Sequence, residues 1–346
     1  MMSNHSNPKR VLVTGANGHT GSHLVSALLC EGVQVRGLVR RPETLAPEVR
    51  SLIEVAVGDI RDRRAVEQAV EGCDTVYHVA ALYRDASARR QDYWDINVGG
   101  TDHILVACAT HGVKRLVHCS TVGVHGDVTT IPTDETAPFK PGDAYQRSKL
   151  AAEERVWAWY RKTQIPTVVI RPAGIYGPGD MRFLKLFRAI RNGRFVMLGS
   201  GTTLFHAVYI QDLIHGYLLC GTRPEAVGEA FVISGDRYVT LNDLVASIAS
   251  TLGVARPRWH APVWPFYVAG AVCETLCVPL NIQPPIYRRR VGFFTHNRAF
   301  TSAKAQRVLG YVPKVTLEEG LRVTARWYMT RGYLRTTNGW QGRVHA

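Results

Sequence analysis

The chain has 346 residues, of which 46% are hydrophobic and 20% are charged, a globular balance that excludes a disordered chain, collagen and a coiled coil. Its 42 Lys and Arg residues exceed its 28 Asp and Glu residues, giving a formal net charge of +14 that would suit nucleic acid, an anionic membrane or a phosphorylated ligand. Because the excess is scattered, apart from Arg288–Arg290, and is not interleaved with aromatic residues, we expect no nucleic-acid binding.

Short β-branched runs alternate with longer helical stretches along the first half of the chain. Strands are predicted at Val11–Thr14, Val33–Val39, Thr75–Val79, Leu116–Cys119 and Thr167–Arg171, and helices at Leu24–Leu29, Ala65–Val70, Thr101–His111 and Tyr145–Thr163. This alternation predicts an α/β fold with a doubly wound parallel sheet and right-handed crossovers. After Arg171 prolines and aromatic residues become frequent, which predicts a small C-terminal substrate lobe.

The first predicted strand runs into a glycine-rich turn and then into an apolar helix. The residues of this turn that we expect to bind a cofactor are Gly15, Asn17, Gly18, His19, Thr20 and Gly21. The first glycine permits a tight turn, the second lets backbone amides approach a pyrophosphate, and the third lets the helix pack on the strand. A flexible loop would also contain glycines, but the position on the first strand of a βαβ series favours a dinucleotide site.

The residues that follow the second predicted strand indicate which dinucleotide would bind. A carboxylate there would accept hydrogen bonds from the ribose of NAD, but this chain has a valine in that place. Arg40 and Arg41 could hold the 2′-phosphate of NADP, or could be ordinary surface charges. NADP is therefore favoured over NAD. Asp59 and Ile60, which follow a further apolar run, could contact the adenine or could simply end a strand.

Tyr145 and Lys149 lie four residues apart on a predicted helix and therefore share one face. A tyrosine has a pKa near 10, so acting as a base near neutral pH requires its pKa to fall by about 3 units, or about 4 kcal/mol. Positive charge from Lys149 and from an oxidised nicotinamide would favour the phenolate. A hydroxyl of Ser120 or Thr121, at the end of a predicted strand, could hold the substrate oxygen and complete a proton relay for hydride transfer.

With these motifs together, the chain resembles the extended short-chain dehydrogenase/reductase family over nearly its whole length. The resemblance is carried by TGANGHTG (14–21), HVAA (78–81), INVGGT (96–101), STVGVHG (120–126), YQRSK (145–149) and RPAGIYGPGD (171–180). It implies a Rossmann fold and an NAD(P)-dependent enzyme. We accordingly expect a dinucleotide-binding domain at 10–175, between a flexible N terminus (1–9) and a mainly substrate-binding lobe (176–335). Residues 205–250 would return partly to the sheet, with Phe231–Ile233 as the returning strand, and 336–346 would form a tail.

The resemblance also implies roles for individual residues. Tyr145 would be the catalytic acid and base, and Lys149 would orient the nicotinamide ribose and lower the tyrosine pKa. Thr121, five residues before Gly126, matches the substrate-binding hydroxyl of the family better than Ser120 does. The other implied contacts are Asn97 as a buttress of the active-site helix, Ala80 and Ala81 along the cofactor, and Pro172 beside the nicotinamide.

Two broad groups of substrates remain open within this family: nucleotide sugars, and bulky apolar alcohols or ketones such as 3β-hydroxysteroids. Nucleotide-sugar enzymes typically have an arginine that clamps a diphosphate where this chain has Phe205. Basic residues at 182, 185 and 188 could compensate, but their helical spacing is more typical of a solvated face. The residues expected to face the substrate are Tyr83, His125, Gly174 and Phe205. Among them His125 departs from the family, which usually has tyrosine there.

A late apolar segment, Phe266–Pro285, resembles that of the 3β-hydroxysteroid dehydrogenase-like branch and would suit an apolar substrate, although it could equally be core or a subunit contact. The surrounding stretch Ala261–Leu280 contains Glu274 and three prolines, which argues against a membrane-spanning helix but leaves a peripheral membrane contact open. Cys273 and Cys277 are not accompanied by further ligands at zinc spacing, so we expect no metal site.

Seven cysteines form an odd set without paired spacing, in a chain too large to need disulfides. Together with a polar start that does not resemble a signal peptide, they favour the cytoplasm. As partners we expect a small-molecule substrate and a second copy of the chain in a homodimer.

Three functions are consistent with the sequence. The favoured one is an NADP-dependent oxidoreductase that interconverts an alcohol and a ketone on a bulky, largely apolar molecule. The alternative is a nucleotide-sugar epimerase or dehydratase that keeps NAD tightly bound. A non-enzymatic NADP sensor is disfavoured, because a sensor has no need of the proton relay that Tyr145, Lys149 and Thr121 would form.

Overall fold

The structure of the protein is a computed structural model that describes residues 10–83, 85, 88–277 and 288–335. The predicted flexible N terminus (1–9), the predicted tail (336–346) and the end of the predicted apolar segment (278–285) lie outside the described residues. The described chain divides into two units. The sheet unit contains the chain up to Ala173, Ile210–Ser234 and Phe300–Val312, and the lobe unit contains Gly174–Tyr209, Gly235–Ala299 and the chain from Pro313 onward.

The regular elements are numbered in chain order. The strands are β1 (Arg10–Thr14), β2 (Gln34–Val39), β3 (Glu54–Val57), β4 (Thr75–His78), β5 (Arg115–Cys119), β6 (Thr167–Pro172), β7 (Gly174–Tyr176), β8 (Met197–Leu198), β9 (Leu204–Tyr209), β10 (Ala230–Ile233), β11 (Tyr238–Thr240) and β12 (His260–Ala261). The α-helices are α1 (His19–Cys30), α2 (Pro47–Arg50), α3 (Arg63–Val70), α4 (Arg90–Trp94), α5 (Gly100–Thr110), α6 (Ala144–Thr163), α7 (Leu184–Arg191), α8 (Ile210–Thr222), α9 (Leu241–Leu252), α10 (Val263–Cys277), α11 (Arg288–Thr295), α12 (Ala303–Leu309) and α13 (Leu317–Thr330).

Seven parallel strands form the central sheet of the sheet unit, in the order β10-β6-β5-β4-β1-β2-β3. The chain first winds outward from β1 to β3 and then returns to the other side of β1 with β4. In such a sheet the crevice at the carboxyl ends of the strands, where the winding direction reverses, is the ordinary place for a ligand. The predicted doubly wound parallel sheet is confirmed, and the five predicted strands end within one residue of those observed.

The core of the sheet unit explains why these strands read as unbroken apolar runs. Val11, Leu12 and Val13 are successive residues of β1, and all three are fully buried. A strand buried on both faces is typical of a parallel sheet with helices on each side. One buried cluster joins Leu12 to Val66 of α3 and Ile104 of α5, which packs α3 and α5 on the strands and holds the carboxyl ends of β1 and β4 in place.

The described residues of the lobe unit form two small sheets. The strands β11, β9 and β7 form one of them, with β11 antiparallel and β7 parallel to β9, while β8 and β12 pair in the other. Of residues 205–250, only β10 adds a strand to the central sheet, whereas β9, β11 and α9 belong to the lobe unit. None of the helices that the structure describes combines the length and the apolar character needed to cross a membrane.

Candidate active site

The glycine turn closes in a way that side chains would prevent. Gly15 has a φ of +69°, the left-handed region that favours glycine, and a Cβ there would lie 3.0 Å from the Cα of Ala80. A Cβ on Gly21 would lie 2.1 Å from the carbonyl oxygen of Gly15. Helix α1 begins at His19, and its N-cap residue, Gly18, has no side chain that could cap the first turn. A helix N-terminus directs its backbone amides toward an anion, so this turn fits the pyrophosphate of a dinucleotide.

A buried histidine connects this turn to the next strand. The hydroxyl oxygen of Thr14 accepts hydrogen bonds from the backbone N–H groups of Val79 (3.1 Å) and Ala80 (3.0 Å). Its proton is thus left for Nδ1 of His78, which lies 3.0 Å away. Burial lowers the pKa of His78 to about 3, so this imidazole is neutral. Because Nδ1 accepts from Thr14, the ring proton is assigned to Nε2. Of the two alanines expected beside the cofactor, Ala80 borders the turn and Ala81 is exposed.

The same hydrogen-bond chain continues to the helix that carries Tyr145. Nε2–H of His78 donates to the hydroxyl of Thr101 (2.9 Å), which donates to the backbone carbonyl of Asn97 (2.7 Å). The Asn97 side-chain amide donates to the hydroxyl of Ser148 (2.8 Å), which donates to the backbone carbonyl of Tyr145 (2.8 Å). Asn97 lies in a π-helical turn, Asp95–Gly99, a feature that is frequent at functional sites. The structure thus places Asn97 against the helix it was expected to buttress.

Tyr145 and Lys149 occupy the first turns of α6, whose N-terminus is capped by Asp143. Both side chains are buried, and the ring of Tyr83 meets that of Tyr145 edge to face, with centroids 4.9 Å apart. Burial lowers the pKa of Lys149, while the nearby Glu153 favours its charged form. An ammonium with little water around it acts strongly on a neighbouring phenol, because the local dielectric is low.

The two hydroxyls at the end of β5 have different environments. Ser120 is buried and donates a 2.5 Å hydrogen bond to Oε2 of Glu153. Thr121 is half-buried and accepts a 3.0 Å hydrogen bond from the backbone N–H of Gly123, which leaves its own proton to donate. The turn after Thr121 packs on the start of α6, where a Cβ on Gly123 would lie 3.2 Å from the Gln146 side chain. Thr121 therefore fits the role of holding a substrate oxygen, and Ser120 serves the fold.

A buried ion pair, which the sequence analysis did not predict, includes the carboxylate that accepts from Ser120. Nε of Arg171 lies 3.2 Å from each carboxylate oxygen of Glu153, and both side chains are almost fully buried. Burial alone would raise the pKa of Glu153, but the Arg171 guanidinium holds it below its ordinary value. Arg171 also donates to Nε2 of His125 (3.2 Å), whose Nδ1–H donates to the carbonyl of Ala137 (3.0 Å).

His125, expected to face the substrate, is thus buried with both ring nitrogens hydrogen-bonded. On its other side it lines a cavity of about 310 Å³ together with Val128, Thr133 and Pro138. Burial and the Arg171 guanidinium lower the pKa of His125, which keeps the imidazole neutral and able to accept. Where the family usually has tyrosine, this chain therefore has a neutral imidazole that forms part of the wall of this cavity.

The expected cofactor residues after β2 lie next to the glycine turn. Arg40 and Arg41 are exposed immediately after the strand. The side chain of Asn17 donates to the hydroxyl of Thr44 (2.7 Å), which donates to the backbone carbonyl of Arg41 (2.6 Å). These two bonds tie the arginine segment to the turn that would hold the pyrophosphate.

The two expected adenine contacts are already engaged in the fold. The Asp59 carboxylate accepts from Nε (3.0 Å) and Nη2 (2.8 Å) of Arg61, whose hydrogen bonds lower the pKa of Asp59. Ile60 is buried, and a Cβ on Gly100 would lie 2.9 Å from its side chain. Pro172, expected beside the nicotinamide, is buried at the end of β6.

In the lobe unit, Gly174 and Phe205 lie against each other. A Cβ on Gly174 would come within 2.4 Å of the Phe205 ring, so only glycine admits the ring in this place. Phe205 is buried, with the rings of Phe183 and Phe293 at centroid distances of 6.0 and 5.6 Å. We call Phe183, Phe205 and Phe293 the aromatic cluster. Phe205 in this cluster is the residue found where the sequence comparison led us to look for a diphosphate-clamping arginine.

Two of the three basic residues that could replace such a clamp have partners of their own. Arg182 forms an ion pair with the buried carboxylate of Asp180 at 2.7 Å, and its Nη2 donates to the carbonyl of Ile175. Arg188 donates to the carbonyl of Tyr333 at 3.1 Å. Both guanidinium groups are therefore already hydrogen-bonded within the lobe unit.

Comparison with known proteins gives similarity along most of the chain. The model of the NAD dependent epimerase/dehydratase family matches residues 11–234. The chain is 30% identical over 322 residues to the N-acetyl-alpha-D-glucosaminyl-diphospho-ditrans,octacis-undecaprenol 4-epimerase of Escherichia coli O157:H7, covering 92% of this chain and 94% of that protein. It is 32% identical over 343 residues to a 3 beta-hydroxysteroid dehydrogenase/Delta 5-->4-isomerase of Mycobacterium tuberculosis, covering 93% and 90%. The crystal structure of gox2253 superposes with a TM-score of 0.80 at 27% identity, covering 94% of this chain and 100% of that one.

Proposed function

The chain belongs to the NAD dependent epimerase/dehydratase family, whose members are extended short-chain dehydrogenases/reductases, and on that premise we propose that it interconverts an alcohol and a ketone on a bulky, largely apolar molecule, with NADP as cofactor. The observation that carries the proposal is the aromatic cluster. Phenyl rings offer apolar surface and exclude water, whereas a diphosphate needs cationic partners. The likeness to a relative named as a 3 beta-hydroxysteroid dehydrogenase supports the same class of substrate.

The reaction needs a proton as well as a hydride. In the direction of reduction, the hydroxyl of Tyr145 gives its proton to the carbonyl oxygen of the ketone, while Thr121 donates a hydrogen bond to that oxygen. A bound nicotinamide cofactor supplies the hydride to the carbonyl carbon. The ammonium of Lys149 stabilises the phenolate that remains on Tyr145, and in the reverse direction this phenolate takes the proton of the alcohol.

NADP rather than NAD is proposed because Arg40 and Arg41 lie beside the pyrophosphate cradle, tied to it through Asn17 and Thr44. We expect Arg40→Ala to weaken NADPH binding about 10- to 100-fold, the usual contribution of a charge-assisted hydrogen bond, and to leave NADH binding within about 3-fold. Fluorescence titration of the purified chain with each cofactor measures both constants. Arg50→Ala, an exposed arginine on α2, is the matched control. An equal loss for NADPH and NADH would mean that Arg40 does not contact the 2′-phosphate.

The proposal is tested by a screen of substrates and cofactors. Oxidation of NADPH is followed with 3-ketosteroids and long-chain ketones, and thermal stabilisation with UDP, GDP and dTDP sugars. We expect reduction of at least one apolar ketone and no stabilisation by the sugars. The alternative is a nucleotide-sugar epimerase or dehydratase, which the likeness to the Escherichia coli 4-epimerase favours. NAD that remains bound through purification, together with stabilisation by sugar nucleotides alone, would establish the alternative and overturn the proposal.

A further inference from the structure

Helix α10 presents a row of large apolar side chains to water. The exposed fractions are 70% for Trp264, 51% for Tyr267, 52% for Val268, 51% for Val272 and 63% for Leu276. Four of the five follow one another at intervals of four residues, and Tyr267 lies beside them, so they form one stripe along the helix. We call these five residues the α10 outer face.

The opposite side of α10 is apolar too, which distinguishes it from an ordinary surface helix. Residues 263–273 are all uncharged, and Gly270, on the inner side, is buried. The polar residue beside the α10 outer face, Thr275, donates its hydroxyl to the carbonyl of Ala271 at 2.9 Å and so satisfies it within the helix. Glu274 is the one charged residue in the sequence of α10, and a helix with so few polar residues is normally covered over most of its surface. The α10 outer face therefore lacks the polar character of a solvated surface.

The segment that leads into α10 adds aromatic and positive groups. Trp259 is 75% exposed, and Arg256 and Arg258 are exposed beside it. Tryptophan and tyrosine favour the headgroup level of a bilayer, where an amphipathic ring meets both water and hydrocarbon. Arginines next to such rings attract anionic lipids.

We propose that the α10 outer face, together with Trp259, is a docking surface for an anionic lipid bilayer. Helix α10 has 15 residues, whereas crossing the hydrocarbon core takes about 20, so it would lie in the plane of the interface. Charge complementarity favours an anionic bilayer as the partner, since the chain carries a formal charge of +14 and Arg256 and Arg258 are exposed beside Trp259. The inference does not depend on the proposed reaction, although an apolar substrate dissolved in a bilayer would be close at hand.

The test is flotation of the full chain with vesicles of phosphatidylcholine mixed with phosphatidylglycerol, compared with phosphatidylcholine alone. We expect binding to the anionic vesicles, weaker binding at high salt, and a blue shift of tryptophan fluorescence. Replacing both Trp264 and Leu276 with glutamate should lower the affinity at least about tenfold, because it removes buried apolar area and adds negative charge. Leu52→Glu is the matched control, since Leu52 is 65% exposed in the sheet unit and should have no effect.

A second variant tests the electrostatic contribution to vesicle binding by itself. It also keeps the proposal testable if the first variant does not fold. Arg256→Glu with Arg258→Glu should weaken binding to the anionic vesicles and leave the α10 outer face intact. Melting temperatures check that each variant is folded. Vesicle binding that neither variant changes, or no binding by the wild-type chain, would overturn the proposal. So would light scattering that shows a dimer, converted to a monomer by the Trp264 and Leu276 changes, in a chain that does not float.

Discussion

Replacing Tyr145 with phenylalanine is expected to lower kcat for carbonyl reduction by about 10²- to 10⁴-fold, the usual contribution of a positioned general acid, while cofactor binding stays nearly unchanged. The substitution removes only the phenolic oxygen. The ring that remains can still pack edge to face with Tyr83, and the Ser148 hydrogen bond goes to the backbone of residue 145 and not to its side chain. Steady-state kinetics with NADPH and titration of the cofactor measure the two quantities separately.

Tyr160→Phe is a suitable control for this substitution. Tyr160 lies on the same helix, its ring meets that of Trp157 at 6.1 Å, and it is four turns away from the proposed proton transfer. It should leave kcat unchanged. If Tyr145→Phe keeps wild-type turnover, Tyr145 is not the proton donor, and the roles assigned to Lys149 and Thr121 lose their basis.

The sequence predicted five of the seven central strands well because these five are short, contain β-branched residues and are mostly buried on both faces. Strand β3, which is partly exposed, was not among them. It predicted helix α1 poorly, placing its start at Leu24, whereas the helix begins at His19. The missed turn contains Gly21, a weak helix former that is required there by close packing on Gly15. The return of Phe231–Ile233 to the central sheet could be predicted from the sequence, and β10 is found there beside β6. The division of the other segments between the two units could not, since local patterns do not tell which distant segments pack together.

In the candidate site, too, features that depend on neighbouring residues could be predicted from the sequence, and features that depend on distant residues could not. Tyr145 and Lys149 are four residues apart, so their proximity could be predicted from helical geometry alone. The difference between Ser120 and Thr121 depends on Glu153, which is 33 residues away and takes the Ser120 proton. One signal was available in the sequence: Arg171 ends an otherwise apolar predicted strand, and a buried arginine requires a partner.

The buried ion pair of Arg171 and Glu153 is expected to contribute strongly to stability. Arg171→Met should lower the free energy of unfolding by about 3–5 kcal/mol, because it leaves the Glu153 carboxylate buried without its counter-charge. Urea denaturation at neutral pH measures the change. Lys114→Met is the control, because Lys114 and Asp74 form an ion pair whose lysine is 77% exposed, and such a pair contributes less than about 1 kcal/mol.

Removing both charges should restore part of the stability. In Arg171→Met with Glu153→Leu no carboxylate is left unpaired, so this double variant should be more stable than Arg171→Met alone. Ser120 would lose its acceptor, and some loss relative to the wild-type protein should remain. A double variant less stable than Arg171→Met would mean that the arginine acts through its packing and not through the carboxylate.

The pH dependence of stability distinguishes an unpaired carboxylate from lost packing, because the pKa of Glu153 is lowered in the wild-type protein and should be raised in Arg171→Met. In the wild-type protein the pKa of Glu153 is lowered, so its contribution is complete above the unfolded value, near 4.3, and is lost as the pH falls through the folded value. In Arg171→Met burial should raise that pKa. The folded variant then takes up a proton before the unfolded chain does, and acidification from neutral pH toward about 4.3 should shrink its deficit. A deficit that stays constant over this range would exclude an unpaired carboxylate as its cause.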